Sequence, residues 1–139
     1  MVECPELLED GVYRYVPGKG WVRGWSEAGG KPRVYLAVNS VCARGCRWAL
    51  ERLWERLGRL IEQGYVELFI VVCTRFRYVC LDETAKRFFA HYGIIAVPSI
   101  IVETPRGEPL VVQGRLRIED ELGAVAERLS AQVLRGAAG

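Results

Sequence analysis

The segment that decides the fold runs from Arg33 to Cys46, with the sequence R-V-Y-L-A-V-N-S-V-C-A-R-G-C. Within it, Val34 to Val38 is a short apolar run rich in β-branched and aromatic residues, which predicts a buried strand. From Arg47 to Ile61 the apolar residues recur at helical spacing, which predicts a long amphipathic helix. The two cysteines of the segment are therefore expected at the junction between a strand and a helix.

That position favours reactive thiols. At a helix N-terminus, uncompensated N–H groups and the positive end of the helix dipole stabilise a thiolate. Arg44, between Cys42 and Cys46, adds positive charge, so we expect it to lower the thiol pKa. A disulfide needs Cβ atoms about 3.8 Å apart, whereas residues four apart on a helix have Cβ atoms about 5–6 Å apart. Closure therefore requires Cys42 in a turn before the helix and Cys46 in its first turn. The alternative is a pair of buried, inert cysteines.

Composition indicates an ordinary globular protein with one core. The chain has 139 residues, of which 50% are hydrophobic and 26% charged, and its formal net charge is +2. Its arginines are interleaved with glutamates, so no surface is expected to bind nucleic acid. The first ten residues lack an apolar signal segment, and no apolar run approaches the roughly 18 residues of a membrane span. These features predict a cytoplasmic protein without a membrane partner.

The polar residues favour a thermophilic source. Arginine far outnumbers lysine, and the thermolabile residues are few, with one Asn, three Gln and one Met. Intracellular proteins of hyperthermophiles are an exception to the rule that the cytosol keeps thiols reduced. Five cysteines are therefore compatible with both structural and catalytic disulfides in the cytoplasm.

Before the central strand we expect an extension, residues 1–32. Residues 2–10 could form one helical turn, and Cys4 is expected to be a spare thiol. Val12 to Val16 and Trp21 to Trp25 alternate around the turn P-G-K-G, which predicts a hairpin with one aromatic face.

After the long helix, which should end near Gly64, strands and helices alternate. Val66 to Cys73 predicts a strand covered on both faces and parallel to the first. Asp82 is a good N-cap for a second helix, which Gly93 ends. The remaining elements are a strand around Val102, an antiparallel strand at Leu110–Gln113 and a closing helix over Ile118–Leu134. The predicted order is hairpin, β, α, β, α, β, β, α, and the fold class is α/β.

The C-terminal half carries a resemblance to a known family. The stretch A-H-Y-G-I-I-A-V-P-S-I-I-V-E-T-P-R-G-E-P-L-V-V-Q-G closely resembles the thioredoxin-fold family, in which a helix ends in Tyr-Gly and an apolar–Pro–small step opens a strand. The resemblance covers about Arg33 to Leu134 and implies a thioredoxin-like domain, residues 33–139, built as a three-layer α/β/α sandwich with a central mixed sheet. It also implies that Pro98 is a cis-proline after Val97, and that these two residues position an extended substrate beside the cysteine pair.

The chain departs from the family pattern near the cysteines. The usual Trp-Cys-Gly-Pro-Cys is here V-C-A-R-G-C, from Val41 to Cys46, which is one residue longer. The buried acid found six residues before the first cysteine in thioredoxins is here Leu36. Proton transfer to and from the second thiol would then use water or another group.

A second pair, Cys73 and Cys80, is expected at the same edge of the sheet, since one ends a strand and the other precedes a helix. Three interpretations stay open for it. The pair could be a structural disulfide, which would stabilise the fold by about 2.5 kcal/mol. It could be a second redox pair, or it could join Cys42 and Cys46 in a four-cysteine metal or iron–sulfur site.

His91 and Trp48 each have a structural and a functional interpretation. His91, the only histidine, is expected in the last turn of a helix as a solvated surface residue. Trp48 points away from the apolar stripe of the long helix, so it either packs under the hairpin or forms an exposed docking surface. We expect packing.

These observations predict a thiol–disulfide oxidoreductase in which Cys42 attacks and Cys46 resolves. Its expected partners are protein disulfide substrates and an unidentified electron donor or acceptor; no cofactor is expected, and the protein is expected to be a monomer or a weak dimer. The alternative is a non-catalytic binding or adaptor domain of thioredoxin fold whose disulfides are structural.

Overall fold

A computed structural model describes residues 3–4, 9–27, 29–41 and 43–138. Within them the chain forms an α/β structure with three helices and one mixed sheet of six strands. The strands are β1 Gly11–Val16, β2 Gly20–Arg23, β3 Arg33–Asn39, β4 Glu67–Cys73, β5 Ser99–Glu103 and β6 Leu110–Gln113, and the helices are α1 Ala43–Glu62, α2 Glu83–His91 and α3 Arg115–Ala138. The predicted order of elements from the hairpin to the closing helix is confirmed.

The sheet is built around β3. Its strand order is β2-β1-β4-β3-β5-β6. Strand β3 pairs in parallel with β4 on one side and antiparallel with β5 on the other, so that Ala37 lies opposite both Val71 and Ser99. Strand β6 then pairs antiparallel with β5. The predicted parallel pairing of the two strands that flank α1 is confirmed.

Helices cover both faces of the sheet, so that the molecule has three layers. Side chains alternate along a strand, and in β3 Leu36 packs with residues of α1 and α3 whereas Tyr35 packs with residues of α2. Strand β4 divides in the same way, with Ile70 on the α1 side and Phe69 on the α2 side. This is why both strands are nearly continuous in apolar residues.

Helix α1 follows the predicted pattern. Its apolar stripe, Leu50, Leu53, Leu57 and Ile61, is buried, and Cys46 is buried in its first turn. The helix ends at Glu62, and Gly64 follows with a φ of +79°, in the left-handed region that favours glycine. None of the described helices is long and apolar enough to cross a membrane.

The ends of the other two helices show how much the sequence determines locally. The Asp82 carboxylate accepts a hydrogen bond from the backbone N–H of Ala85 at 2.9 Å, which confirms the predicted N-cap of α2. His91 is the last residue of this helix and is exposed, as predicted. Helix α3 extends beyond the predicted Ile118–Leu134 at both ends, because the residues added there carry no apolar pattern.

The N-terminal hairpin belongs to the same sheet. Strand β1 pairs antiparallel with β4, with Gly11 opposite Val72. The prediction of one aromatic face is confirmed for the strands themselves, since Tyr13, Tyr15 and Trp21 all pack on the α1 side, but it is wrong for Trp25. Trp21 packs on the α1 side beside Tyr15, whereas β2 ends before Trp25, whose ring stacks on Tyr35 of the other face at 5.6 Å.

A buried polar cluster lies at the opposite edge from the cysteines. Arg33 is 2% exposed and lies 3.4 Å from the Glu67 carboxylate. Its guanidinium donates to the Tyr35 hydroxyl at 3.3 Å, and that hydroxyl donates to Glu103 at 3.4 Å. Burial is the main cause that raises the pKa of Tyr35 to about 12. The hydrogen bond from Arg33 lowers this pKa, and the charge of Glu103 raises it further.

We predict that Leu53→Ala destabilises the protein by about 2–5 kcal/mol, because Leu53 is fully buried between α1 and the sheet. The matched control is Leu134→Ala on α3, whose side chain is exposed and whose loss should change the free energy of unfolding by about 0.5 kcal/mol or less. Chemical denaturation measures both. Equal effects of the two variants would contradict the packing of α1.

A second prediction concerns alkaline pH. The ordinary pKa of tyrosine is 10.0 and that of folded Tyr35 is about 12. The neutral hydroxyl is favoured by folding, so this contribution is complete below pH 10 and is lost as the pH rises toward 12. The free energy of unfolding of Tyr35→Phe should therefore fall less steeply over this interval than that of the unmodified protein. Identical slopes in denaturation series at several pH values would contradict the prediction.

Candidate functional site

Three chain segments meet at the carboxyl edge of β3 and β4. These strands end side by side, with Asn39 opposite Cys73. Strand β5 runs in the opposite direction and begins at the same edge, where Ser99 pairs with Ala37. Pro98 precedes Ser99 directly, and the Val97–Pro98 peptide bond is cis, as predicted. The cis-proline therefore lies beside the end of the strand that leads into α1.

Cys46 forms a disulfide with Cys4. The two Cα atoms are 6.7 Å apart, and 42 residues separate the two cysteines along the chain. Cys46 is fully buried, while Cys4 is partly buried against the same core. The prediction that Cys4 is a spare thiol is wrong, because Cys4 is bonded to Cys46. Sequence reasoning missed this bond, since a partner so distant in sequence leaves no local pattern.

Cys42 and Arg44 are the other residues predicted beside Cys46. Cys42 lies outside the described residues, so its pairing with Cys46 stays a prediction. Arg44 is exposed in the first turn of α1, two residues before Cys46. Its proposed effect on a neighbouring thiolate also stays a prediction. Leu36, six residues before Cys42, is fully buried in the same apolar cluster as Cys46.

The structure joins Cys73 and Cys80 in a second disulfide, with Cα atoms 4.7 Å apart. Cys73 is fully buried and Cys80 partly buried. The loop between them folds back on itself, since the N–H of Arg75 donates to the carbonyl of Val79 at 2.9 Å. It also contacts the end of β3, where the Asn39 side chain accepts from the N–H of Phe76 at 3.3 Å. The two disulfides thus flank one edge of the sheet.

Asp10 holds the second disulfide loop from the hairpin side. It is 6% exposed, and its carboxylate accepts hydrogen bonds from the Thr74 hydroxyl at 2.9 and 3.0 Å and from the backbone N–H of Leu81 at 2.7 Å. Thr74 follows Cys73 and Leu81 follows Cys80, so one carboxylate holds both ends of the loop. Sequence reasoning missed Asp10, because nothing in the sequence indicates that β1 pairs with β4.

Gln113 holds the segment before the cis-proline. Its side-chain oxygen accepts from the N–H groups of Ile95 at 2.8 Å and Ala96 at 3.2 Å, and its amide nitrogen donates to the carbonyl of Gly93 at 3.1 Å. These bonds fix the backbone between α2 and Pro98. Sequence reasoning missed this residue as well, because a glutamine at the end of an edge strand carries no distinctive signal.

Large apolar side chains are exposed around this edge. Val41 is 82%, Leu81 89% and Ile95 77% exposed, and each lies in a loop that leaves or enters the sheet here. Apolar side chains that form a contiguous exposed patch mark surfaces that bind other proteins. Others on loops or helix starts at the same edge are Tyr78, Val79 and Leu116.

Trp48 is partly buried and packs against the core. Its ring lies 4.5 Å from the guanidinium carbon of Arg115, at the start of α3, and 5.8 Å from that of Arg52. Trp48 is therefore packed rather than exposed, as expected, with its ring against the core and these two arginines; packing under the hairpin stays a prediction.

In the described part of the chain, no group of three or more His, Cys, Asp or Glu side chains is placed to hold a metal ion. Three members of the four-cysteine alternative, Cys46, Cys73 and Cys80, are sulfurs of disulfides, which offer no thiolate to a metal.

No protein-family model matches the chain, and no curated protein matches it.

We predict that Asp10→Asn destabilises the protein by about 1–3 kcal/mol, because a neutral amide oxygen accepts the hydrogen bonds of Thr74 and Leu81 more weakly than the charged carboxylate does. Hydrogen exchange at the Leu81 amide should become faster at the same time. The matched control is Asp120→Asn at an exposed position of α3, which should change neither quantity. Unchanged exchange at Leu81 in Asp10→Asn would contradict the proposed role of this carboxylate.

Proposed function

We propose that this chain is a thiol–disulfide oxidoreductase of thioredoxin-like fold. One observation carries the proposal: β3 leads into a helix whose first turn holds a buried disulfide sulfur, Cys46, and the adjacent strand begins at the same edge after a cis-proline, Pro98. The strand order β4-β3-β5-β6, with only β5 antiparallel to β3 and β4, supports the thioredoxin-like assignment. The helices on both faces of the sheet support the same assignment.

In the proposed reaction the Cys42 thiolate attacks one sulfur of a substrate disulfide. An S–S bond forms between Cys42 and the substrate, and the second substrate sulfur leaves as a thiolate. The Cys46 thiolate then attacks the Cys42 sulfur, which forms the Cys42–Cys46 disulfide and releases the first substrate sulfur as a thiolate. The substrate has gained two electrons, and the cysteine pair has lost them.

Surrounding residues have defined roles in this proposal. Arg44 and the N-terminus of α1 stabilise the thiolate forms. Val97 and Pro98 position the substrate backbone, with Gln113 holding the segment before them. Leu36 provides no acid at the buried end of the pair, so the protons exchanged by Cys46 come from water or from the substrate thiols.

The substrates proposed here are disulfides of other proteins. The exposed apolar side chains at this edge, among them Val41, Leu81 and Ile95, support protein partners, because a small disulfide would need no such surface. The electron donor or acceptor is a further partner. We propose that the protein works in the cytoplasm as a monomer or a weak dimer.

A second candidate is an adaptor domain of the same fold whose disulfides are structural. It is favoured by the complete burial of Cys46 and Cys73, each within a disulfide. Buried disulfides resist reduction because an attacking thiolate cannot reach them.

Reduction of insulin in the presence of dithiothreitol distinguishes the two candidates. We expect turnover above the background of dithiothreitol alone, and we expect Cys42→Ser to return the rate to that background. The double variant Cys73→Ala/Cys80→Ala is the matched control, since it removes the other disulfide and should retain turnover. If the unmodified protein reduced insulin only at the background rate, the proposal of an oxidoreductase would be contradicted and the adaptor domain would remain.

A further inference from the structure

We propose that Cys4 is a third redox cysteine, the sulfur at which the electron donor attacks, and that Cys46 is the leaving thiolate of that step. The inference rests on the proposed function and deepens it. In the resulting scheme Cys46 is shared: Cys42 serves the substrate, and Cys4 serves a donor that carries two thiols.

The first support is the difference in accessibility between the two bonded sulfurs. Thiol–disulfide exchange requires that the attacking sulfur reach the sulfur under attack. Cys46 has no solvent-exposed surface, whereas Cys4 is partly exposed and belongs to none of the described helices and strands. A donor in solution can therefore approach the disulfide from the Cys4 side.

The second support is the position of Cys46 as a leaving group. Cys46 is the fourth residue of α1, and the first four N–H groups of a helix have no partner within the helix. These groups and the helix dipole favour negative charge on the sulfur and oppose the effect of its apolar surroundings. Arg44 and Arg47, both exposed on the first turns of α1, add positive charge nearby. Exchange is faster when the leaving thiolate is the more stable one.

The third support is that contacts other than the disulfide hold Cys4 in place. The indole N–H of Trp21 donates to the backbone carbonyl of Glu3 at 2.5 Å, and Trp21 itself packs beside Tyr15 at 5.5 Å. Cys4 also packs against the core that contains Cys46. After the bond opens, these contacts keep the two sulfurs near each other, so that the disulfide can form again at a high effective concentration.

The exchange steps balance in bonds and electrons. The Cys4 thiolate attacks Cys46 in the Cys42–Cys46 disulfide; the Cys4–Cys46 bond forms, and Cys42 leaves as a thiolate ready for the next substrate. One thiolate of the donor then attacks Cys4, which forms a mixed disulfide and releases Cys46 as a thiolate. The second donor thiolate attacks its own bonded sulfur. The donor becomes a disulfide, Cys4 leaves as a thiolate, and the donor has lost two electrons.

The test maps which sulfur accepts an external thiol. The oxidised, full-length protein is treated with glutathione, quenched with iodoacetamide in denaturant so that buried thiols are labelled, digested and analysed by mass spectrometry. We expect glutathione on Cys4 and the iodoacetamide label on Cys46. In Cys4→Ser the glutathione adduct should shift to Cys42. In the control Cys73→Ala/Cys80→Ala it should stay on Cys4.

Either of two results would overturn the inference. One is glutathione on Cys46 with Cys4 released and labelled. The other is a Cys4–Cys46 disulfide that stays closed while the same preparation reduces insulin. Failure of the proposed function is a separate outcome: insulin reduction at background, with glutathione still found on Cys4, would leave the assignment of the attacked sulfur in place and remove only the substrate reaction.

Discussion

Strand β3 is hydrogen-bonded on both sides and covered by side chains on both faces, and the rest of the structure depends on this arrangement. A strand that is buried on both faces must be apolar along its length, and Val34 to Val38 meets this requirement. Its parallel partner β4 requires a crossover, which α1 supplies, and its antiparallel partner β5 brings the cis-proline to the edge where α1 begins. The position of Cys46 follows from these pairings.

Much of the fold could be predicted because its signals are local. The alternation of apolar runs and amphipathic stretches gave the order of the elements, and Asp82 marked the start of α2 through ordinary capping chemistry. The cis peptide bond before Pro98 was expected only from a family resemblance, because the sequence around a proline does not by itself favour the cis form.

The candidate site was less predictable because its contacts are distant in sequence. Cys4 reaches Cys46 across 42 residues, and Asp10 reaches Thr74 and Leu81 only because β1 pairs with β4. That pairing cannot be deduced from alternation alone, since either free edge of the sheet could accept a hairpin. The local spacing of Cys42 and Cys46 pointed to the start of α1, but it gave no indication of the Cys4–Cys46 disulfide that the structure contains.

The pairing of the hairpin with β4 also determines which strand forms the free edge of the sheet on that side. Without β1, the seven residues E-L-F-I-V-V-C of β4 would form the edge of the sheet, and a long apolar edge strand is a template for pairing with another chain. The hairpin replaces it with β2, which has four residues, one of them a glycine, and ends in an arginine. Short and charged edges are poor templates. The N-terminal hairpin therefore protects the sheet from aggregation through its central strands.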